Sequence, residues 1–482
     1  MKLLGMRICD HDSNFSYFDG NKVFYLKTER KYQIKHHGVN DLNLWKDIVY
    51  EQWGIKPKDL HEICIVFDPG RYQLNCREDS FFPSKTIDFS TECLTTRVNH
   101  HYAHHLSCWP LIKNPHLLNG ICMDGYGDYD KSWTVFCKNK IEEGSLIKNG
   151  SLGICMAQLG KYFDLKGHAL DVAGKIMSLQ SYGNLDYEFL IFLKKYTLEN
   201  MNFIFDPNFY CDKWSDKLNW LRTIHEYVGA CLIQYFLQRF DVDETFLYTG
   251  GVALNVCWNT KIKSVFKKII IPPHSNDEGL SLGALEFLRL KHNLPHFKID
   301  DFPFCQSDES PNIKPKQELY SKVAELLAKQ KIIGWYQGHG EIGPRALGHR
   351  SILADPRDKS MKDKINLIKK REDFRPFGCS TIDEEFDDSE FMLFADRINT
   401  QKYPAVSHID NTTRHQKVNQ SNSLHTLLCE FKRLTNCGTL LNTSLNINGK
   451  PLASSKNDAT QLLETSSLDG LVYGNELYLK NG

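Results

Sequence analysis

Apolar and polar positions follow two rhythms along the chain. Short apolar runs recur at Leu60–Phe67 (LHEICIVF), Leu118–Met123, Thr245–Tyr248 and Lys267–Ile271, and read as strands. Trp220–Phe240 and Leu280–Leu290 instead repeat apolar residues every three or four positions, the period of a helix with one buried face; Gly279 punctuates the second of them. Strands alternating with amphipathic helices predict an α/β fold. Residues 299–318 (IDDFPFCQSDESPNIKPKQE) interrupt the pattern with three prolines and many polar residues, and read as a linker. Beyond them the pattern predicts a helix near Tyr320–Gln330, a strand at Lys331–Tyr336, a long polar segment and a strand at Thr439–Leu441. Two unequal domains follow, 1–305 and 318–482.

Composition narrows the class. A chain of 482 residues exceeds one ordinary core, and 41% hydrophobic with 24% charged residues describes a globular protein rather than a disordered or fibrous one. Fifty-nine basic residues balance fifty-nine acidic ones, so no global field favours nucleic acid or an anionic membrane. Fifteen cysteines without a C-x-x-C pair read as reduced thiols. The polar turn soon after MKLLGMRICDHDS lacks the apolar core of a signal peptide, and no apolar run is long enough to span a bilayer. A cytoplasmic location is the expectation.

Candidate chemistry begins at VNHHYAHHLS. On a helix, His100 and His104 share one face and can offer imidazoles to one metal ion; His101 and His105 form a second such pair, and a solvated histidine face is the plain alternative. Asp124 ends an apolar run in GICMDGYGD, and Asp277 follows another in IIIPPHSNDEG. Ligands of open α/β sheets gather at such strand ends, although an aspartate there can equally cap a turn. Two imidazoles with two carboxylates suit Fe(II), Mn(II) or Zn(II). Gly250 and Gly251 follow TFLYT and permit close backbone approach to a ligand. His11, in CDHDS, has the place of a general base or of an ordinary turn residue.

The downstream half carries a different signal. From Arg345 to Arg375 there are ten Lys/Arg against five acids, and Arg345, Arg350, Arg357, Arg371 and Arg375 are irregularly spaced among glycines and prolines. Arginine forks on such turns suit a phosphate or carboxylate pocket, whereas the run Lys359–Lys370 reads as a solvated basic face. No G-x-x-x-x-G-K-[ST] occurs, so ATP would not be held by a P-loop. Ser444 lies in NTSLN, at the exit of the strand TLL.

Taken in order, GMRICDHDS, KTERKYQIKHH, NHHYAHH, MDGYGD, AGKIMSLQSYG, TGGVALN, NDEGLSLGA, GPRALGHRSILADPR, REDFRPF, SHIDNTTRHQ and NTSLN make the chain resemble the ATP-dependent O-carbamoyltransferases of nodulation-factor and antibiotic synthesis. The resemblance runs nearly end to end. It implies an actin/sugar-kinase-like first domain and a smaller α+β second domain like the threonylcarbamoyl-adenylate synthases. It implies formation of carbamoyl-AMP from carbamoyl phosphate and ATP, with Mg accompanying ATP, and transfer of the carbamoyl group to an acceptor hydroxyl. That hydroxyl would belong to a small metabolite or sugar, or to a hydroxymethyl pyrimidine such as hydroxymethylcytosine in nucleotide or DNA. On the matching positions, His100, His104, Asp124 and Asp277 would hold the metal, iron first among the candidates, and His11 would assist transfer. Gly250, Gly251 and Asn255 would bind the adenylate. Arg345, Arg350, Arg357, Arg371, Arg375, Arg414 and Ser444 would line the carbamoyl phosphate and ATP pocket. The chain departs from the family at SLQS ahead of Tyr182, at Leu445 and at Gly378-Cys379-Ser380. The competing readings are a tRNA threonylcarbamoyl enzyme and a non-catalytic metal- and nucleotide-binding regulator.

Overall fold

The computed structural model describes residues 1–41, 43–67, 85–86, 93–137, 140–145, 150–200, 216–311 and 313–480. The fold is mixed α/β, in two compact units: Met1–Val23 with Gly38–Lys298, and Phe24–His37 with Ile299–Gly482. The first unit contains two sheets. In one, Leu3–Arg7 runs antiparallel to Asn14–Phe18 and parallel to Glu62–Val66, which pairs in parallel with Leu94–Arg97. In the other, Phe246–Thr249 lies between Ile269–Ile270 and Gly120–Met123, parallel to both, and Trp133–Cys137 continues the sheet antiparallel to Gly120–Met123. The strands alternate with helices His100–Leu106, Lys217–Leu237, Val256–Val265 and Leu280–Lys291, among others.

Two helices set up the site. Leu280–Lys291 packs on Leu3–Arg7 and on His100–Leu106, burying Leu280, Leu282, Leu285 and Leu288 completely. Each such side chain contributes roughly 1.5–3 kcal/mol. The helices meet backbone to backbone: a Cβ on Gly283 would lie 1.8 Å from the carbonyl oxygen of Ala103. That approach brings the helix that follows Asp277 against the helix bearing the four histidines.

The second unit is built on a seven-stranded mixed sheet in the spatial order His415–Lys417, Gly378–Thr381, Thr439–Ser444, Arg350–Ala354, Ile333–Tyr336, Gly470–Tyr473 and Glu476–Leu479. Helices Gln317–Ala328 and Ser423–Thr435 pack together beside it, and Trp335, Leu353, Leu428, Leu441 and Val472 lie in its core.

Three expectations change. The "long polar segment" contains the strands Arg350–Ala354 and Gly378–Thr381 and the helices Met361–Lys369 and Ser423–Thr435. The presumed linker is part of the second unit's framework: Gln306 is buried, and Asp308 is ion-paired to Arg350 at 2.9 Å. Phe24–His37 groups with the second unit, although the domain expectation of 1–305 places it in the first. Both latter differences rest on contacts between distant parts of the chain, which local composition does not encode.

Candidate active site

His100–Leu106 forms because Asn99 caps it, its side chain accepting from the backbone N–H of Tyr102 at 3.0 Å. All four histidines are buried, which removes the solvated-face alternative. The two pairs have different fates. His101 Nδ1 meets Thr134 Oγ1 at 2.8 Å, and His105 Nε2 donates to the carbonyl of Pro115 at 3.0 Å. Burial pushes their pKa values down to about 3 and about 4, so both are neutral packing groups.

His100 and His104 instead turn toward two carboxylates. His100 Nε2 lies 3.0 Å from Asp124 Oδ2 and 3.4 Å from Asp277 Oδ1. His104 Nε2 lies 3.5 Å and 3.4 Å from the same two oxygens, yet makes no well-directed hydrogen bond. One ligand atom from each of the four residues falls within 4.8 Å of all the others, and all four residues are buried. Asp124 follows the strand Gly120–Met123 as expected. Asp277 follows the strand Ile269–Ile270 by seven residues and opens the turn Asp277–Gly279 that leads into Leu280–Lys291.

The electrostatics of this cluster call for a cation. Two carboxylate oxygens at such a separation repel by roughly 3–4 kcal/mol at an effective dielectric near 20. Burial works against a charged His100, but Asp277 and the hydrogen bond to Asp124 outweigh it and raise its pKa to about 9. Burial and mutual repulsion likewise oppose the two carboxylates, yet the imidazoles, and Arg7 for Asp277, hold both below the usual range. A divalent ion would relieve the same repulsion more fully, and a buried imidazole nitrogen without a directed partner is a ready ligand. The donor set fits a metal.

His11 sits beside this cluster in the turn between Leu3–Arg7 and Asn14–Phe18. Its Nδ1 donates to Asp12 Oδ2 at 3.3 Å and lies 3.9 Å from Asp277 Oδ2. Burial disfavours its charged form, but Asp12 and Asp277 prevail and raise its pKa. The glycine turn reaches the cluster as well: the N–H of Gly251 donates to Asp124 Oδ1 at 2.7 Å. Gly250 has φ +88°, and a Cβ there would fall 2.1 Å from the carbonyl of Met123, so only glycine fits. Asn255 caps Val256–Val265, its Oδ1 accepting from the N–H of Trp258 while its Nδ2 meets His225 Nε2.

In the second unit the predicted arginines divide. Burial and the charges of Arg414, Arg375 and Arg371 all act against a charged Arg345, and Arg375 and Arg414 likewise act against a charged Arg371. Arg371 is stacked 3.9 Å from the Phe377 ring and donates to Asn366 and to the carbonyls of Arg375 and Pro376. Arg375 lies 3.6 Å from Glu372. Arg350 is a correction: it is wholly buried, pairs with Asp308, donates to the carbonyls of Gln337, Gly338, His349 and Glu309, and stacks on Tyr336. It braces the sheet. Arg357 is also turned elsewhere, its Nε and Nη2 held by Asp355.

Lys369 belongs to the run Lys359–Lys370, whose charge predicts a solvated face, and it is buried. Its Nζ donates to the carbonyls of Ser444 and Asn446 at 2.6 and 2.7 Å, to Ser444 Oγ at 3.0 Å and to Asn446 Oδ1. Burial, then Arg371, Arg375 and Lys35, hold its pKa well below the ordinary lysine value. The signal was available: Met361, Ile365, Ile368 and Lys369 share one helical face in Met361–Lys369, and all four are buried.

The thirteen described cysteines are free thiols, and no helix among the described residues is long and apolar enough to cross a membrane.

Comparison with known proteins agrees with the resemblance. Residues 83–285 match the family described as "Carbamoyltransferase N-terminus", and residues 324–480 match "Carbamoyltransferase C-terminus". The chain is 30% identical over 460 residues to "Nodulation protein NolNO" of Sinorhizobium fredii, across 82% of this chain and 65% of that protein. It is 31% identical over 248 residues to the "3'-hydroxymethylcephem-O-carbamoyltransferase" of Streptomyces clavuligerus, across 48% of each. The chain thus spans just under two thirds of the first relative's length and about half of the second's. Among solved structures, T. kodakarensis HypF superposes with a TM-score of 0.38 at 13% identity, over 61% of this chain and 48% of that one. Two family matches in the family's order, covering most of the sequence, establish that the chain belongs to the carbamoyltransferase family.

Proposed function

We propose that the chain is an ATP-dependent O-carbamoyltransferase working in two half-reactions. The observation that carries this reading is that each unit holds a site of opposite chemical demand: a buried two-histidine, two-carboxylate cluster in the first, and a group of cations with few acids in the second.

In the second unit, Arg345, Arg371, Arg375 and Arg414, with Lys369, neutralise the phosphates of carbamoyl phosphate and ATP. Ser444 Oγ, fixed by Lys369 and Asn446, orients the carbamoyl end. One water splits carbamoyl phosphate into carbamate and phosphate, and a carbamate oxygen then attacks the α-phosphate of ATP, forming carbamoyl-AMP as the bond to pyrophosphate breaks. Carbamate resists attack because of its charge; as a mixed anhydride with AMP it becomes electrophilic and carries a good leaving group.

In the first unit, His100, His104, Asp124 and Asp277 would hold the divalent ion, whose Lewis acidity polarises the carbamoyl carbonyl when it is bound. His11 Nδ1 is engaged with Asp12, which leaves Nε2 to accept the proton of the acceptor hydroxyl. Attack by that oxygen forms the O-carbamoyl bond and breaks the bond to AMP. Gly250 and Gly251 offer close backbone approach to the leaving nucleotide, and Asn255 holds their turn onto the following helix. The acceptor is a hydroxyl-bearing molecule; the cephem and nodulation relatives favour a small metabolite or sugar, and hydroxymethylcytosine in DNA is the other class.

The test is to supply carbamoyl phosphate and ATP to the protein loaded with Fe(II) or Mn(II) and follow pyrophosphate. Carbamoyl-AMP with pyrophosphate is expected without an acceptor. Adding a panel of alcohols and hydroxymethylcytosine-bearing DNA should yield AMP and one carbamoyl group on the true acceptor. Neither pyrophosphate nor mixed anhydride under any of these conditions would defeat the reading.

A further inference from the structure

Arg7 ends the strand Leu3–Arg7 beside the metal cluster and is almost entirely buried. Its Nη1 donates to the carbonyl of Ile8 at 3.2 Å, and its Nη2 donates to Asp277 Oδ2 at 3.1 Å. No ligand role requires it, and a permanent cation beside a cation-binding site is unfavourable unless it does something there.

The two carboxylates show what it does. Asp277 turns Oδ1 to His100 and His104, while Oδ2 faces Arg7. Asp124 repeats the arrangement: Oδ2 faces the two imidazoles, and Oδ1 accepts from the N–H of Gly251. Each carboxylate therefore has one oxygen in the cluster and the other tied by a donor outside it. A carboxylate with a tied second oxygen binds an ion through one atom only.

We infer that Arg7 is a positioning residue that, together with the Gly251 N–H, keeps both aspartates one-oxygen ligands, so that the chain supplies four donor atoms and leaves the ion open positions for substrate. The inference rests on the metal reading of the four-residue cluster. Arg7 also adds one positive charge to a cluster whose two carboxylates only balance a dication. The assembled site is thereby biased toward an anion such as the phosphate of an acyl nucleotide. In Arg7→Met the freed Oδ2 can swing onto the ion and close one position. Arg7→Gln removes the charge but retains an N–H donor for Oδ2.

Mn(II) is the probe, since it accepts mixed nitrogen and oxygen donors and commonly takes six ligands. Water-proton relaxation of the bound ion should count about two exchangeable waters in the unaltered protein and in Arg7→Gln, and about one in Arg7→Met, as six ligands less the protein's donors require. Loss of the buried charge should tighten Mn(II) about tenfold in both variants, the direction expected when a like charge is removed. The same loss should weaken AMP binding to the loaded protein in both. A disrupted fold would weaken metal and nucleotide together, so the opposite signs separate positioning from damage. Equal water counts in Arg7→Met and the unaltered protein would overturn the inference. So would one water or none in the unaltered protein, a measurement that needs no variant. Failure of the unaltered protein to bind Mn(II), Fe(II) or Zn(II) at all would instead remove the metal reading, and the inference with it.

Discussion

The two sites are opposite solutions to one problem. In the first unit, donors from three separate segments bring two carboxylates close together, with His100 and Arg7 beside them. In the second, the charges of Arg371, Arg375 and Arg414 act on Arg345, with Glu372 beside Arg375. Neither arrangement is favourable alone. Each stores repulsion that a ligand of the opposite sign relieves, so each should be stabilised by its own ligand and not by the other's.

The sharpest way to break that comparison is to empty one site. His100→Ala with His104→Ala should abolish metal retention and lower carbamoyl transfer at least about a thousandfold, because several kcal/mol of charge stabilisation go with the ion. Pyrophosphate release from carbamoyl phosphate and ATP should stay within about twofold, since no donor in the second unit is touched. Equal loss of both half-reactions would contradict the division. The reciprocal variant is next in size. Lys369→Met should lower pyrophosphate formation about 10²–10³-fold, because it removes a positive charge beside the bound anion and unties Ser444 and Asn446, which Lys369 holds in place. Metal content, measured by elemental analysis, should be unchanged.

How much of this was legible in the sequence depends on distance along the chain. The histidine pair was readable because four-residue spacing is a local property of a helix. The aspartates were readable as residue types near element ends: Asp124 directly after a strand, and Asp277 after another, where it opens the turn into the next helix. What failed was non-local. Arg350 looks like its neighbours in the basic run, and nothing near it announces Asp308, forty-two residues away. The segment 299–318 looks like a linker because its polar residues are satisfied by partners far along the chain. The charge of the run Lys359–Lys370 masks Lys369, which the helical period beneath it places on the buried face.

A third prediction concerns the scaffold of the first site. Gly250→Val places a β-branched side chain at φ +88° and against the Met123 carbonyl. The backbone strain alone is about 1–3 kcal/mol, and the clash adds to it. Urea unfolding should show the first unit destabilised by at least that amount, with metal affinity lowered as the Gly251 N–H is drawn off Asp124. An unchanged unfolding midpoint would mean that the turn does not need glycine.

The smallest effect discriminates most finely within the second site, because Arg357 and Arg375 look alike in the sequence and differ in surroundings. Arg357 is held by both oxygens of Asp355, and the carboxylate keeps further bonds from Gln330 and the Arg357 N–H when the guanidinium is removed. Arg357→Ala should therefore reduce stability by only about 1–2 kcal/mol, the usual effect of deleting one partner of a carboxylate that stays otherwise satisfied. The KM for carbamoyl phosphate should not move. Arg375 has Glu372 at 3.6 Å and shares its surroundings with three other cations, so its charge is better matched by a bound anion than by the protein. Arg375→Ala should leave stability near that of the parent, or raise it by relieving repulsion, while KM rises about tenfold, the equivalent of one charge-assisted hydrogen bond. If the two variants raise KM alike, the division of the arginines into pocket and scaffold is wrong, and the solvated or structural reading of the basic segment regains its standing.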